Sequence, residues 1–200
     1  AWLRLLPAPE ASYPVAVFQR DTAAGCAAIE RVLGSGLVPA ALEYLDAATL
    51  AAAGGSFPAD VPAAAGFLVV AEADGAREEA ERVRAELLDV LGEEALGVYA
   101  PTDGTAVSDL WRWRDGVSLA VTAQLGGKVS EDIVVPLERL GEAIERTIEI
   151  GRRHGLPACS WGHAGDGNLH STFLVSPESG DELERAPKAA EELFALAAEL

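Results

Sequence analysis

The sequence contains few of the residues from which disulfide scaffolds and membrane anchors are built. Its 200 residues include two cysteines, Cys26 and Cys159, no methionine and three histidines. Two distant cysteines are more often reduced thiols than a disulfide, so a disulfide-stabilised secreted domain is not expected. No apolar run approaches roughly 18 residues, which argues against a membrane-spanning helix. The composition therefore indicates a soluble globular protein with reduced thiols.

Basic residues are also scarce. There are 15 Lys and Arg residues against 32 Asp and Glu residues, which gives a formal net charge of −17. A protein that neutralises phosphates needs basic patches, so no nucleic-acid partner is predicted. The same average field repels small carboxylates. Any cation that serves an anionic substrate must therefore be placed for that purpose.

Residues 160–170, which read SWGHAGDGNLH, are the most informative stretch of the sequence. They contain two of the three histidines, and between these lie the turn formers at positions 165–168, GDGN. The segments on either side of the turn resemble strands, so we predict a hairpin. In a hairpin His163 ends one strand and His170 opens the next, which allows both imidazoles to converge on one point.

Two converging imidazoles are half of a metal site, and a divalent ion such as Zn²⁺ needs one or two further ligands. The alternative is a tight hairpin whose histidines bond only backbone carbonyls, and the residues alone leave both interpretations open. An EF-hand loop is excluded, because it requires repeated Asp or Asn oxygens and a distal Glu. A dinucleotide-binding glycine fingerprint also fits poorly, since a strand rather than a helix is expected after the glycines.

The periodicity of the apolar residues predicts alternating strands and helices. Residues 66–72 form the clearest buried strand, and residues 76–91 follow as an amphipathic helix. Similar strand–helix–strand patterns precede and follow this pair, without a long parallel run that carries a nucleotide loop. We therefore predict an α+β fold of ferredoxin-like split βαβ units, with a mostly antiparallel sheet and helices on one face.

Four motifs carry a resemblance to a known family. Residues 162–170, GHAGDGNLH, resemble the GHxGDGNLH signature of the FAD-linked oxidase C-terminal (cap) domain, a family that includes glycolate oxidase, D-lactate dehydrogenase and D-2-hydroxyglutarate dehydrogenase. Residues 42–46 (LEYLD), 110–114 (LWRWR) and 131–137 (EDIVVPL) resemble further segments of that family in the same order. Together the four motifs are far more specific than any one of them, and they span nearly the whole chain.

The resemblance implies the substrate-binding part of a flavin-dependent oxidoreductase that oxidises a D-2-hydroxy acid, of glycolate or D-lactate type, to the 2-oxo acid. The implied cofactors are FAD, bound mainly by a missing N-terminal domain, and a divalent metal, with Zn expected. The implied partners are the small 2-hydroxy carboxylate, the chain's own N-terminal FAD domain and an optional electron-acceptor subunit. We expect a cytoplasmic location, with peripheral membrane attachment as an alternative. Residues 1–13 are then a linker from the flavin domain, and residues 14–200 are the cap domain, truncated at its C-terminus.

The resemblance also assigns roles around the cofactors. His163 and His170 become metal ligands, and Asn168 becomes a cofactor-binding residue, although its simplest role is to fix the turn. Apart from the resemblance, Glu131 and Asp132 are candidates to orient a metal-bound histidine, and plain exposure to solvent at the start of a strand is the equal alternative.

The catalytic residue is the one role that the resemblance assigns to no position of this sequence. In the family a Glu-His-Gly motif further along the chain supplies another metal ligand and the catalytic base. No such motif occurs in these 200 residues. The catalytic residue is therefore unknown, the base is expected beyond Leu200, and the fragment alone is expected to be inactive.

Three residues are assigned to the substrate by the same resemblance. Arg114 matches a position where Arg binds the substrate carboxylate, a contact that guanidinium makes in bidentate fashion. Ser118 lies one helical turn later on the same face and matches a hydroxyl position. Lys128 lies near a substrate-binding Lys of the family, but its spacing to Pro136 differs by two residues. Ser130 is therefore the alternative for that place.

Two other functions compete with this interpretation. The first is a non-catalytic acidic α+β interaction module in which the histidine hairpin is only structural. The second is a free-standing metal hydrolase, which is weaker because no general base is visible at a suitable spacing from the histidines. Metal analysis separates the interaction module from the two enzymes, and a flavin spectrum of the whole protein separates the two enzymes from each other.

Overall fold

The structure is a computed structural model that describes residues 8–200, and these residues are organised around one seven-stranded sheet. In chain order its elements are β1 (Ala11–Gln19), α1 (Thr22–Gly34), β2 (Ala41–Asp46), α2 (Ala47–Ala53), β3 (Phe67–Gly75), α3 (Arg77–Leu91), β4 (Gly97–Tyr99), α4 (Gly104–Ala123), β5 (Gly127–Val134), α5 (Leu140–Arg153), β6 (Ala158–His163), β7 (Asn168–Val175) and α6 (Gly180–Glu199). The strand order is β4-β1-β3-β2-β6-β7-β5. Every pair of neighbouring strands is antiparallel. No helix in this part of the chain is long and apolar enough to cross a membrane.

The sheet consists of two units that share one architecture. Strands β1 to β4 with α1 and α3 give the order β4-β1-β3-β2, which is the ferredoxin-like split βαβ arrangement. Strands β5, β6 and β7 with α5 and α6 repeat that arrangement with three strands. The two units join where β2 pairs with β6. The predicted α+β fold with a mostly antiparallel sheet is confirmed.

The helices occupy both faces of the sheet rather than one. Helices α1, α3, α5 and α6 cover the face that bears Val15 and Val17. Helices α2 and α4 cover the opposite face, which bears Ala16 and Phe18. The reason is that residues 13–19 of β1 are all buried, so both faces of the strand need a cover. The prediction that all helices lie on one face is therefore corrected by this second layer of α2 and α4.

The predicted linker, residues 1–13, extends too far along the chain. Its residues 1–7 lie outside the described residues. Residues 11–13 belong to β1 instead, where they pair with residues 73–75 of β3. Tyr13 anchors this end of the strand because it packs with Ala11 and Ala80 in a small apolar cluster.

Leu200 completes the last turn of α6. Its backbone N–H donates to the carbonyl oxygen of Leu196 at 3.1 Å, and its partly buried side chain packs against the apolar core on the α6 face. Leu200 therefore has a role in packing and carries no group that could act as a base. The catalytic base that was expected beyond Leu200 lies outside the described residues and stays a prediction.

Candidate functional site

The predicted hairpin joins β6 to β7. Two of its glycines stand where no other residue would fit. Gly167 has a φ of +73°, and a Cβ atom there would lie 2.2 Å from the carbonyl oxygen of Val135. A Cβ atom on Gly162 would lie 2.2 Å from the carbonyl oxygen of Asn168, across the strand pair. The side chain of Asp166 accepts a hydrogen bond from the backbone N–H of Asn168. Only glycine therefore fits at positions 162 and 167, and the hydrogen bond of Asp166 makes an Asx turn that closes the hairpin.

The two histidines lie side by side on the α4 face of the sheet. His163 is directly opposite Asn168 in the pairing of β6 and β7, and His170 is two residues further along β7. Opposite residues, and residues two apart on one strand, share a face of the sheet. The two imidazole centroids are accordingly 5.1 Å apart, with the rings nearly perpendicular. The hairpin therefore brings the imidazoles together.

Each imidazole is held by a carboxylate from the strand beside it. Glu43 of β2 is directly opposite His163, and its Oε1 lies 2.6 Å from Nδ1 of that ring. Asp132 of β5 is directly opposite His170, and its Oδ1 lies 2.5 Å from Nδ1. A carboxylate only accepts hydrogen bonds, so Nδ1–H must be the donor in both pairs. The lone pair of each ring is then on Nε2, which is the arrangement that carboxylate–histidine pairs adopt in metal sites.

Two imidazoles are half of the ligand set that a tetrahedral metal ion requires. No cluster of three or more His, Cys, Asp or Glu side chains within residues 8–200 is arranged to hold a metal ion. Two neutral imidazoles leave open positions on a tetrahedral ion. The imidazole nitrogens themselves suit Zn²⁺, and each ring already has the carboxylate partner that a bound ion requires. The donor set therefore fits a divalent metal that has further ligands from elsewhere.

Arg114 of α4 reaches the same carboxylate as His163. Its Nε and Nη2 atoms donate to Oε2 of Glu43, at 2.9 Å and 2.5 Å. The side chains of Arg114 and Glu43 are only 12% and 10% exposed. The described residues offer no hydrogen-bond partner to Nη1 of Arg114, so one edge of the guanidinium stays available. Sequence analysis gave Glu43 no role, although it lies in the LEYLD motif and is a charged residue between apolar neighbours of a strand.

Ser118, one turn further along α4, lies next to Lys128 of β5. The Nζ atom of Lys128 donates to Oγ of Ser118 at 2.5 Å, and it lies 5.0 Å from the ring of Trp161. Partial burial lowers the pKa of the Lys128 ammonium below its ordinary value. Ser130, the alternative residue, shares a hydrogen bond with the hydroxyl of Thr172 at 2.7 Å. The structure thus groups Ser118 with Lys128 and ties Ser130 to β7.

A cavity of about 580 Å³ opens beside the histidines. Its polar end is formed by Glu43, His163 and Asp166. The rest of its wall comes from Leu33, Gly165 and residues 36–42, which lead from the end of α1 into β2 and are largely apolar. The site therefore combines two imidazoles, two cations and an adjoining cleft with an apolar wall, which is a common composition for a small-molecule site.

Residues 8–200 match the model of a protein family described as FAD linked oxidases, C-terminal domain. Among curated proteins, the chain is 28% identical over 202 residues to glycolate oxidase subunit GlcD of Bacillus subtilis (strain 168), which covers 100% of the chain and 43% of that protein. It is 31% identical over 121 residues to a protein of Oryza sativa subsp. indica named "Probable D-2-hydroxyglutarate dehydrogenase, mitochondrial", covering 56% of the chain and 20% of that protein. The chain spans less than half the length of these relatives.

Solved structures show the same fold at low sequence identity. The structure of p-cresol methylhydroxylase with substrate bound superposes with a TM-score of 0.72, covering 95% of this chain and 44% of that one. The two sequences are 13% identical. This likeness therefore concerns the arrangement of helices and strands and carries no information about the substrate.

Proposed function

The chain belongs to the FAD linked oxidase C-terminal domain family, and we propose that it is the substrate-binding part of an enzyme that oxidises a D-2-hydroxy acid to the 2-oxo acid. The proposed substrates are of glycolate or D-lactate type. One observation carries the proposal: two imidazoles with Nε2 available lie on the same face of the sheet as Arg114 and Lys128. A 2-hydroxycarboxylate needs one group for its hydroxyl oxygen and cations for its carboxylate. This face offers both.

The family implies FAD as the cofactor, whereas the described residues themselves do not. The described residues contain no glycine-rich loop that leads into a helix and could cradle a pyrophosphate, so FAD would be bound mainly by a separate N-terminal domain. When bound, FAD supplies the hydride acceptor. On this side of the cofactor the proposal assigns a contact to Asn168, whose side chain forms no hydrogen bond within residues 8–200. An electron-acceptor subunit and a cytoplasmic, or peripherally membrane-attached, location complete the proposal on the strength of the family resemblance.

A divalent metal, Zn²⁺ in this proposal, would be held by Nε2 of His163 and Nε2 of His170. Such an ion would polarise and orient the 2-hydroxycarboxylate. Glu43 and Asp132 hold the two rings, so that little reorganisation is needed when the ion binds. On the strength of the family resemblance, a further ligand and the catalytic base are proposed to lie beyond Leu200.

The cations of this face would bind and orient the substrate carboxylate. Arg114 would present the Nη1 edge of its guanidinium while Glu43 holds the other edge. Lys128 would add a point charge, and Ser118 fixes its position through the hydroxyl. Fixed cations are needed here, because a net charge of −17 otherwise repels the anionic substrate.

The test is an assay of the whole protein with its flavin domain, together with its flavin and metal content. We expect glycolate, D-lactate or D-2-hydroxyglutarate to reduce the flavin and to drive an artificial electron acceptor, with the D enantiomer preferred where the acid is chiral. A whole protein that contains neither flavin nor metal and oxidises none of these acids would instead support the acidic interaction module.

A further inference from the structure

Within the described chain, Glu43 is the carboxylate that contacts both a proposed metal ligand and a proposed substrate ligand. Its Oε1 lies 2.6 Å from Nδ1 of His163, and its Oε2 accepts from two nitrogens of Arg114. We propose that Glu43 is a positioning residue that orients the imidazole of His163 for a metal ion and the guanidinium of Arg114 for the substrate. The inference rests on the proposed function and adds to it a residue that links its metal half to its carboxylate half.

The two oxygens of Glu43 are divided between two partners. A carboxylate that only attached α4 to the sheet would use both oxygens against the fork of Arg114, which is the strongest geometry for that pair. Here both guanidinium contacts go to Oε2, and Oε1 is given to the imidazole. The side chain therefore serves His163 at the expense of its ion pair with Arg114.

The surroundings of Glu43 make this contact rigid. Strand β2 lies in the middle of the sheet between β3 and β6, and it joins the two structural units. The side chain of Glu43 is 10% exposed, so the carboxylate has lost most of its hydration and depends on these two partners. By contrast, Asp132, which holds His170, is 67% exposed. Glu43 should therefore dominate the orientation of the histidine pair.

We expect the replacement of Glu43 by Gln to cause a specific defect at the imidazole of His163. Arg114 offers only donors, so the amide oxygen of Gln must face Arg114. The amide NH₂ group then faces Nδ1 of His163 and turns that atom into an acceptor. The ring proton moves to Nε2, the atom that would bind the metal. The substitution thus preserves shape and selects the wrong tautomer.

The experiment compares Glu43→Gln with Glu72→Gln in the whole protein. Glu72 lies on the neighbouring strand β3 and accepts from Trp111 of α4, so its replacement likewise removes one charge from a carboxylate that attaches this helix to the sheet, while its amide oxygen can still accept from Trp111. Zn²⁺ affinity is measured against a competing chelator. We expect Glu43→Gln to weaken Zn²⁺ binding about 10- to 100-fold, the usual effect of losing a carboxylate that orients a metal-bound histidine. For Glu72→Gln we expect less than about a threefold change, because Glu72 contacts neither histidine.

Steady-state kinetics provide a second readout. In Glu43→Gln we expect kcat to recover when Zn²⁺ is added in excess, whereas KM for the 2-hydroxy acid stays raised because a neutral amide oxygen holds Arg114 more weakly than the carboxylate does. If Glu43→Gln does not fold, Glu43→Asp keeps the charge, withdraws the carboxylate by one methylene group and should weaken Zn²⁺ binding in the same direction.

The possible failures are distinguishable. A wild-type protein that binds Zn²⁺ and a folded Glu43→Gln or Glu43→Asp variant that binds it equally well would show that Glu43 only attaches α4, and the proposed function would stand. A wild-type protein with no measurable Zn²⁺ affinity would overturn the metal site itself, and this inference with it.

Discussion

At the residue scale, Arg114 has two tasks that a different cation cannot combine. It holds Glu43 with Nε and Nη2, and in the proposed function its remaining edge binds the substrate carboxylate. Lysine keeps the charge but lacks the planar fork, so it cannot hold Glu43 through two nitrogens and present a second edge to the substrate. We therefore predict that Arg114→Lys raises KM for the 2-hydroxy acid about tenfold or more, with a smaller change in kcat.

The matched control for this prediction is Arg112→Lys on the same helix. Arg112 is 75% exposed and pairs with Asp109, so its replacement should leave kcat and KM unchanged. Steady-state kinetics of the two variants in the whole protein provide the measurement. If Arg114→Lys has the kcat/KM of the wild type, Arg114 serves only to attach α4 to the sheet.

At the scale of elements, the β6–β7 hairpin depends on a glycine that tolerates no side chain. Gly167→Ala would have to adopt a φ of +73° and accommodate a contact of 2.2 Å with the carbonyl oxygen of Val135. We predict a loss of at least about 2 kcal/mol in the free energy of unfolding. Gly116→Ala in α4 is the control, because nothing lies within 4 Å of its Cβ position. It should instead stabilise the domain by about 0.5–1 kcal/mol. Chemical denaturation of both variants measures the difference, and equal stabilities would contradict the strain argument.

Asp46, the N-cap residue of α2, should make the stability of the protein depend on pH. Burial raises the pKa of Asp46 to about 6, against the hydrogen bonds that its oxygens accept from the backbone of Thr49 and Ser160. Because the folded pKa exceeds the unfolded value of 3.8, the folded state retains a proton that the unfolded state releases. The resulting contribution to stability is fully present below the unfolded pKa and is lost as the pH rises through about 6.

We therefore predict that, between about pH 4 and 6, the wild type loses up to about 3 kcal/mol relative to Asp46→Asn, which cannot ionise at this position. The measurement is the difference in free energy of unfolding between the two proteins at several pH values. A difference that stays constant across that range would mean that Asp46 titrates alike in the folded and unfolded chains.

The elements that sequence analysis placed correctly are those whose cause is local. The hairpin follows from the turn residues 165–168, and α3 follows from the apolar periodicity of residues 76–91. The sheet face that each helix covers, and the contacts of Glu43 with Arg114 and His163, were missed because they depend on residues far apart in the sequence. Glu43 is separated by 71 residues from Arg114 and by 120 residues from His163. The contact with His163 exists only once β2 has paired with β6, and the contact with Arg114 only once α4 has packed against β2.

At the scale of the whole molecule, the site lies where the two structural units of the sheet meet. Glu43 belongs to the first unit, whereas His163, His170 and Asp132 belong to the second. Helix α4 connects the units in sequence and contributes Arg114 to the junction. The site is therefore complete only when both units are folded and paired, so the loss of sheet pairing should abolish metal binding and substrate binding together.

The 200 residues should nevertheless fold by themselves without catalysing the proposed reaction. Folding is expected because two apolar clusters, one on each face of the sheet, are built entirely from residues of this chain. Inactivity is expected because the described residues contain no pyrophosphate-binding loop for FAD, and two imidazoles alone hold Zn²⁺ weakly. The experiment is to purify this fragment, record its cooperative unfolding, and assay 2-hydroxy acids with an artificial electron acceptor while measuring bound flavin and metal. Turnover with stoichiometric flavin would refute this division of labour, because the fragment would then contain the flavin site that we assign to a separate domain.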